Sequence, residues 1–295
     1  MSINHTVKAR LALAYRIGAW GALCLLIPLN IWAFVVYRQE SAEVRKIARE
    51  RSAGCQTPSE EMRALLHFVA FDVPSKNTDK FFLLPMFRCL RPTPLQIIQN
   101  GGDCSYKGRA LVALLRARGV RATKCSLHTP DGLGVHAVVS VKTEKGDYIA
   151  DALFGFAMEH EDGSPIPIDE LVESPELVQS VIARETAGGN PKTARYPIQK
   201  YVYTDVRSYN LEQYSFTAAV RRGLVTIFGK KAIDRFPRLN LFTEPALIVM
   251  WSSAAATIGL LAPLSIARAC GARQREQAAA AVETDLTDVH SHVRS

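Results

Sequence analysis

The chain has 295 residues, 48% of them hydrophobic, and a formal net charge of +8, enough for one or two domains with cores of their own. It carries no nucleic-acid-binding motif, phosphate-binding glycine loop or internal repeat, so the positive balance is read as membrane-proximal and no nucleic-acid partner is expected. Its six cysteines form no CxxC pair; neither a zinc centre nor a thioredoxin-type site is expected, and no metal or organic cofactor is implied.

After an N-terminal tail (1–16), residues 17–37, "IGAWGALCLLIPLNIWAFVVY", run for 21 positions without a charge between Arg16 and Arg38. Residues 245–267 give a second uncharged run of 23 before Arg268. Each is long enough to cross a hydrocarbon core of about 30 Å as a helix. The first is too long for a signal-peptide core and reads as an uncleaved anchor. Two spans put both termini on one side of a membrane and the intervening domain on the other. The basic residues Arg38, Arg45, Lys46, Arg49, Arg51, Lys230, Lys231, Arg235 and Arg238 face the domain side. They outnumber those beyond the spans and favour the cytoplasmic side of a bacterial inner membrane. Cys24 and Cys270 lie in or beside the spans; Cys55, Cys89, Cys104 and Cys125 belong to the domain, where they suit a reducing compartment and also permit one disulfide.

The first span continues as a charged juxtamembrane helix (38–57) that stops near Gly54. The domain proper is assigned to 58–216. Thr57, Pro58 and Glu60 form a capping-box helix start, followed by the apolar face Met62, Leu65, Leu66 and Val69. A loop over 72–80, "DVPSKNTDK", leads into the hydrophobic "FFLLPMF" (81–87), and a short helix follows, opened by Thr93–Pro94 and closed by Gly101–Gly102. A helix then begins at Cys104, carries Ala110, Leu111, Leu114 and Leu115 on one stripe, and closes at Gly119. Three strands are expected next: 120–128, 134–142 and 147–156. Residues 159–200 are rich in proline and acid, with a helix near 174–185. The tyrosine-rich 196–214 is expected to return as strands, its tyrosines packing rather than binding. A basic amphipathic helix within 217–244 approaches the second span and suits a membrane surface; 268–295 is a tail.

Cys104 follows "GGD" at a helix start, among backbone N–H groups that favour a thiolate. A cysteine nucleophile needs a base to take its proton and a third group to hold that base. His136 opens one strand and Asp151 lies in the next, an apolar strand where a carboxylate requires a partner. A turn at Lys145–Gly146 would set His136 opposite Gly155, roughly 13 Å along the strand from Asp151. Pairing the two therefore needs an earlier turn, near Thr143–Glu144, or a register shift. The backbone N–H of Cys104 is one oxyanion donor; the side chain of Gln99 is the candidate for the other, with Gln96 as its substitute. His128, at a strand end, is a rival base expected to face solvent, and Cys125 a core residue.

The "GGDCS" helix start, the helix ending "LLRARGVRA", and the "HAVVSV" and "YIADALFGF" strands resemble the transglutaminase-like superfamily over residues 99–156, about a quarter of the chain. The "GGxC" start and "DALFGF" are also similar to arylamine N-acetyltransferases. The resemblance implies an α+β, papain-like core, with the nucleophile at a helix N-terminus packed on an antiparallel sheet, here between two transmembrane helices. It also implies Cys104 as nucleophile, His136 as general base and acid, and Asp151 as orienting carboxylate. The sequence departs from many relatives in lacking an aromatic–acidic pair after the histidine and in having Ala152, not proline, after the aspartate. The expected activity is acyl transfer at a membrane: hydrolysis of a peptide or amide in a protein, peptide or envelope polymer, or transfer to an amine. Two alternatives stand beside it. One is a degenerate domain serving as an interaction module in a membrane assembly; the other is CoA-dependent acyl transfer, for which no nucleotide-binding stretch is present.

Overall fold

A computed structural model describes residues 5–75, 90–129, 134–201, 203, 205–208, 215–234, 244–263 and 265. Cys89, Cys270, the "FFLLPMF" stretch (81–87) and the expected tail fall outside the described residues. The chain divides into two units, one comprising Met1–Val35 with Val249–Ser295, the other Val36–Ile248.

In the first unit the described parts of the apolar runs are helical. Helix α1 (His5–Arg51) continues without a break from the first run into the charged segment after it, passing through Pro28. At 1.5 Å per residue its 47 residues extend about 70 Å. The last helix, α9 (Pro245–Pro263), and α1 are both long and apolar enough to span a membrane. Leu13, Ile17, Trp20, Leu25, Trp251 and Ile258 expose large apolar side chains, which water would not favour. Asn30 donates from Nδ2 to Met250 O (2.6 Å) and Ser253 Oγ (2.9 Å). Tyr15 Oη reaches Leu260 O at 3.5 Å. These contacts set the two helices antiparallel, with an amide joining them where an apolar surround offers it few other partners.

The second unit is α+β. Its five-stranded antiparallel sheet has the order β4-β3-β2-β1-β5, with β1 Arg121–His128, β2 Gly134–Thr143, β3 Gly146–Asp151, β4 Phe156–Ala157 and β5 Val206–Arg207. Alternation along the strands divides the core. Val139, Val141, Tyr148 and Ala150 pack with α2 (Pro58–His67) and α4 (Cys104–Ala117), joined by Val44 and Ala48 of α1. Cys125, Leu127, Val138 and Ile149 pack with Leu171 of α5 (Ile168–Glu173) and Val178, Val181 and Ile182 of α6 (Glu176–Ala187). A sheet covered on both faces is what the near-continuous apolar runs in β2 and β3 require.

The expected helix starts are present. Thr57 Oγ1 accepts Glu60 N–H, and Glu60 Oε2 accepts the N–H of Gln56 and Thr57. Thr93 and Gln96 close the same reciprocal box at α3 (Pro94–Asn100). Helix α2 runs on into a π-helical turn over Phe68–Asp72.

Three expectations need correction. The strand expected over 147–156 stops at Asp151, whose Oδ1 accepts the N–H groups of Leu153 and Phe154 and folds the chain into a turn. Gly155, at φ +80, carries the chain into β4; a Cβ there would lie 2.7 Å from Ala70 Cβ. A side chain that satisfies the next backbone donors competes with the strand ladder and ends it. The strands expected over 196–214 reduce, among the described residues, to Val206–Arg207. The single basic helix is two, α7 (Ser215–Phe228) and α8 (Lys230–Asp234), because Gly229 takes φ +82 between them.

Candidate active site

Cys104 is the first residue of α4, and the two glycines before it are dictated by close backbone approach. Helix α3 ends at Gly101, φ +90, where a Cβ would stand 2.4 Å from Pro74 O. Gly102 N–H donates to that same carbonyl (3.1 Å), and a Cβ on Gly102 would strike Tyr106 Cβ at 2.4 Å. Asp103 then caps α4 by accepting Tyr106 N–H at 2.9 Å. The first N–H groups of a helix have no intrahelical acceptor; that of Cys104 lies at this mouth, beside its own thiol.

His136 and Asp151 meet across β2 and β3. Thr143 pairs with Gly146 and Val139 with Ala150, so the two-residue turn is Glu144–Lys145, one position before the Lys145–Gly146 turn considered from sequence. Continued by one residue, this register sets Asp151 beside Val138, two residues from His136 and on its face. That is a diagonal neighbour, within reach of an aspartate and an imidazole. His136 Nε2 lies 2.6 Å from Asp151 Oδ2, with both side chains essentially buried (0% and 1% exposed).

This bond assigns the ring. With Nε2 given to the carboxylate, Nδ1 is the nitrogen left for Cys104. Nδ1 is buried and has no hydrogen bond among the described residues. The Cys104 side chain is nevertheless close enough to strengthen the hold of His136 on a proton. Thiol and imidazole thus stand as neighbours short of a formed bond, as nucleophile–base pairs often do without substrate. Burial alone would lower the proton affinity of His136; the charge and hydrogen bond of Asp151, then the interaction with Cys104, outweigh it and push the pKa well above the ordinary histidine value.

An aromatic wall completes the surround. Tyr201 stacks on the His136 ring with centroids 4.0 Å apart and planes 8° from parallel. Phe154 and Tyr196 meet it edge-on at 5.9 and 6.4 Å. Burial raises the Tyr201 pKa, and the negative charge of Cys104 and Asp151 raises it further, so its hydroxyl stays protonated beside the thiol. The tyrosines expected only to pack therefore also hold the His136 ring.

Beneath the site lie two lysines that the sequence reading passed over. Lys107 is fully buried and donates from Nζ to Val73 O (2.7 Å), Ala70 O (2.9 Å) and Val69 O (3.0 Å), closing the π-helical turn. Lys192 Nζ bridges Ala70 O and Leu153 O, tying that turn to the loop that follows Asp151. Burial and the neighbouring Lys192 lower the Lys107 pKa to about 8. Burial also lowers that of Lys192, against the pull of Asp151. A signal was present in the sequence: Lys107 shares the stripe of Ala110, Leu111 and Leu114, where a charge has to find buried acceptors.

The remaining candidates are separate from this cluster. Gln99 is exposed in the last turn of α3. The Gln96 amide oxygen is used in the α3 capping box. His128 was expected to face solvent but is fully buried, its Nδ1 3.0 Å from Ser126 O, because β5 covers the end of β1 there. Cys24, Cys55, Cys104 and Cys125 are free thiols, and Cys125 is in the core as expected. Among the described residues no cluster of side chains could hold a metal ion. The chain matches no family model, no curated protein and no solved structure.

Proposed function

We propose that the chain is a membrane-anchored cysteine acyl-transfer enzyme with a papain-like core, hydrolysing a peptide or amide bond. The observation that carries this reading is the buried His136–Asp151 pair, which fixes the ring so that Nδ1 remains for the thiol at the start of α4. The Cys104 proton passes to His136 Nδ1, where the raised pKa of the ring holds it, and the thiolate sulfur bonds to the carbonyl carbon. The developing oxyanion is met by helix-start N–H groups, that of Cys104 among them. The C–N bond then breaks, the imidazolium returns its proton to the leaving amine, and a thioester remains on Cys104. Water, deprotonated by His136, attacks the thioester; the C–S bond breaks, the acid leaves and the thiol is restored. An amine in place of water would give transfer. Asp151 stabilises the imidazolium in both halves, and Tyr201 keeps the ring from turning out of its plane. The exposed apolar faces of α1 and α9 support a membrane setting for the enzyme.

The test is p-nitrophenyl acetate with the full chain in detergent. The expected result is a nitrophenolate burst with one acetyl group on Cys104, followed by slow turnover, abolished by Cys104→Ala and retained by Cys125→Ala. No adduct on Cys104, or the same turnover without it, would overturn the reading.

A further inference from the structure

A cavity lies away from Cys104, entirely among residues of the Val36–Ile248 unit. Its volume is about 250 Å³, and it opens between the charged half of α1, α3, the outer face of α4, and the approach to α9. Four cations line it, Arg45, Arg109, Arg116 and Lys124, against two carboxylates, Glu40 and Glu244. Arg109 and Lys124 are 6% and 5% exposed. Glu244 meets Arg109 and Arg116 electrostatically and Lys124 bonds Ser105 Oγ, yet the lining keeps more cations than carboxylates, an excess that an added anion would balance. The volume is below the range of drug-sized sites and suits one small polar group.

Its place in the chain indicates where that group comes from. Tyr37, on the cavity wall, is the last residue of the first apolar run, and Glu244 immediately precedes the second. A tyrosine at the end of an apolar helix is typical of the membrane–water boundary, the depth of lipid phosphates. Apolar lining accompanies the charges, from Val44, Leu95, Val112 and Ala246, as a phosphate joined to a glycerol and acyl chain would require. The arginines suit a phosphate further, since a guanidinium offers paired donors to two of its oxygens.

We propose that this cavity binds the phosphate headgroup of an anionic membrane lipid, held by Arg45, Arg109, Arg116 and Lys124. The site shares α4 with Cys104, and Lys124 Nζ reaches Ser105 Oγ at 2.7 Å, so a bound headgroup would sit one hydrogen bond from the residue after the nucleophile.

The experiment is thermal unfolding of delipidated full-length protein in a neutral detergent, titrated with dioleoyl phosphatidylglycerol, dioleoyl phosphatidylcholine or inorganic phosphate, and read without any activity assay. Phosphatidylglycerol is expected to raise the melting temperature at about tenfold lower concentration than phosphatidylcholine. Arg45→Gln/Arg116→Gln is expected to raise the concentration needed by about tenfold or more. Glu40→Gln is expected to lower it, because it removes a negative charge from the lining. Equal response to the two lipids, or an Arg45→Gln/Arg116→Gln protein that responds like the wild type, would overturn the site. A Glu40→Gln protein with unchanged or weaker response would do the same, even where the double variant folds poorly. Protection by inorganic phosphate matching that by phosphatidylglycerol would assign the cavity to a free anion and overturn the lipid assignment.

Discussion

Asp151→Asn separates the two tasks of the carboxylate. Oδ1 accepts Leu153 and Phe154 N–H at 3.0 and 3.1 Å, while Oδ2 faces His136 Nε2 at 2.6 Å. An asparagine has a single acceptor oxygen. Turned to the backbone, it keeps two hydrogen bonds worth about 1 kcal/mol each and presents its NH2 to Nε2. Turned to His136, it keeps one and sets its NH2 against two N–H donors. The first orientation is favoured. Nε2 then has to accept, the ring proton moves to Nδ1, and His136 meets Cys104 with a donor in place of a base. Loss of the charge-assisted bond, about 1.5–3 kcal/mol, corresponds to about ten- to a hundredfold in rate, and the wrong tautomer adds to it. Acetylation of Cys104 by p-nitrophenyl acetate is therefore expected to fall by at least about a hundredfold. Both backbone bonds survive, so the melting temperature is expected to stay within about 4 °C of the wild type. Acetylation within about threefold of the wild type, in a protein that melts normally, would refute this account of the ring.

Lys107→Met leaves the carbonyls of Val69, Ala70 and Val73 without their shared donor and is expected to cost about 3 kcal/mol, read as a lower melting temperature. The folded-state pKa of Lys107 is depressed to about 8, so between there and the unfolded value near about 10.4 the unfolded chain holds a proton that the native state has lost. Stability from this site is flat below pH 8 and rises above it by up to about 1.4 kcal/mol per pH unit. The melting-temperature gap between wild type and Lys107→Met should thus widen from pH 8 to about pH 10; a constant gap would show that Lys107 keeps its proton. Gly101→Ala combines φ +90 with a 2.4 Å contact to Pro74 O; a loss of about 2 kcal/mol or more is expected, together with slower acetylation of Cys104, and an unchanged melt would contradict the backbone argument. Asn30→Leu removes both bonds to α9 and should weaken the helix pair by about 0.6–1.7 kcal/mol. The melting temperature of the full chain in detergent reads this, and an unchanged melt would dismiss Asn30 as the joint.

Local rules carried the sequence reading furthest. The boxes at Thr57 and Thr93 and the glycines at 101–102 fix helix ends within a few residues of chain, and all were readable. The apolar stripe of α4 and the runs of β2 and β3 likewise carry their own periodicity. Residue types in order also marked Cys104, His136 and Asp151 before any geometry. Their contact depended on a turn shifted by a single position, and on a strand that ends because Asp151 bonds its own following N–H groups. A run such as "DYIADALFGF" looks uniformly strand-like by composition, and only that side-chain competition divides it. Tyr201, Lys107 and Lys192 were not recognised because their roles arise from partners 34 to 122 positions away in the chain, such as Val73 for Lys107, His136 for Tyr201 and Ala70 for Lys192. The same holds for the cavity, whose cations come from α1, α4 and β1 and form one site only once the helices pack.

The central claim is that Cys104 and His136 act as one unit, and the most direct measurement is iodoacetamide alkylation of Cys104 against pH, in wild type and His136→Ala, with the labelled peptide quantified by mass spectrometry. The account predicts that the wild type is alkylated readily at about pH 6, and that His136→Ala reacts there at least about tenfold more slowly and recovers only as the pH approaches that of a free thiol, about 8.5. Superimposable pH profiles for the two proteins would contradict it.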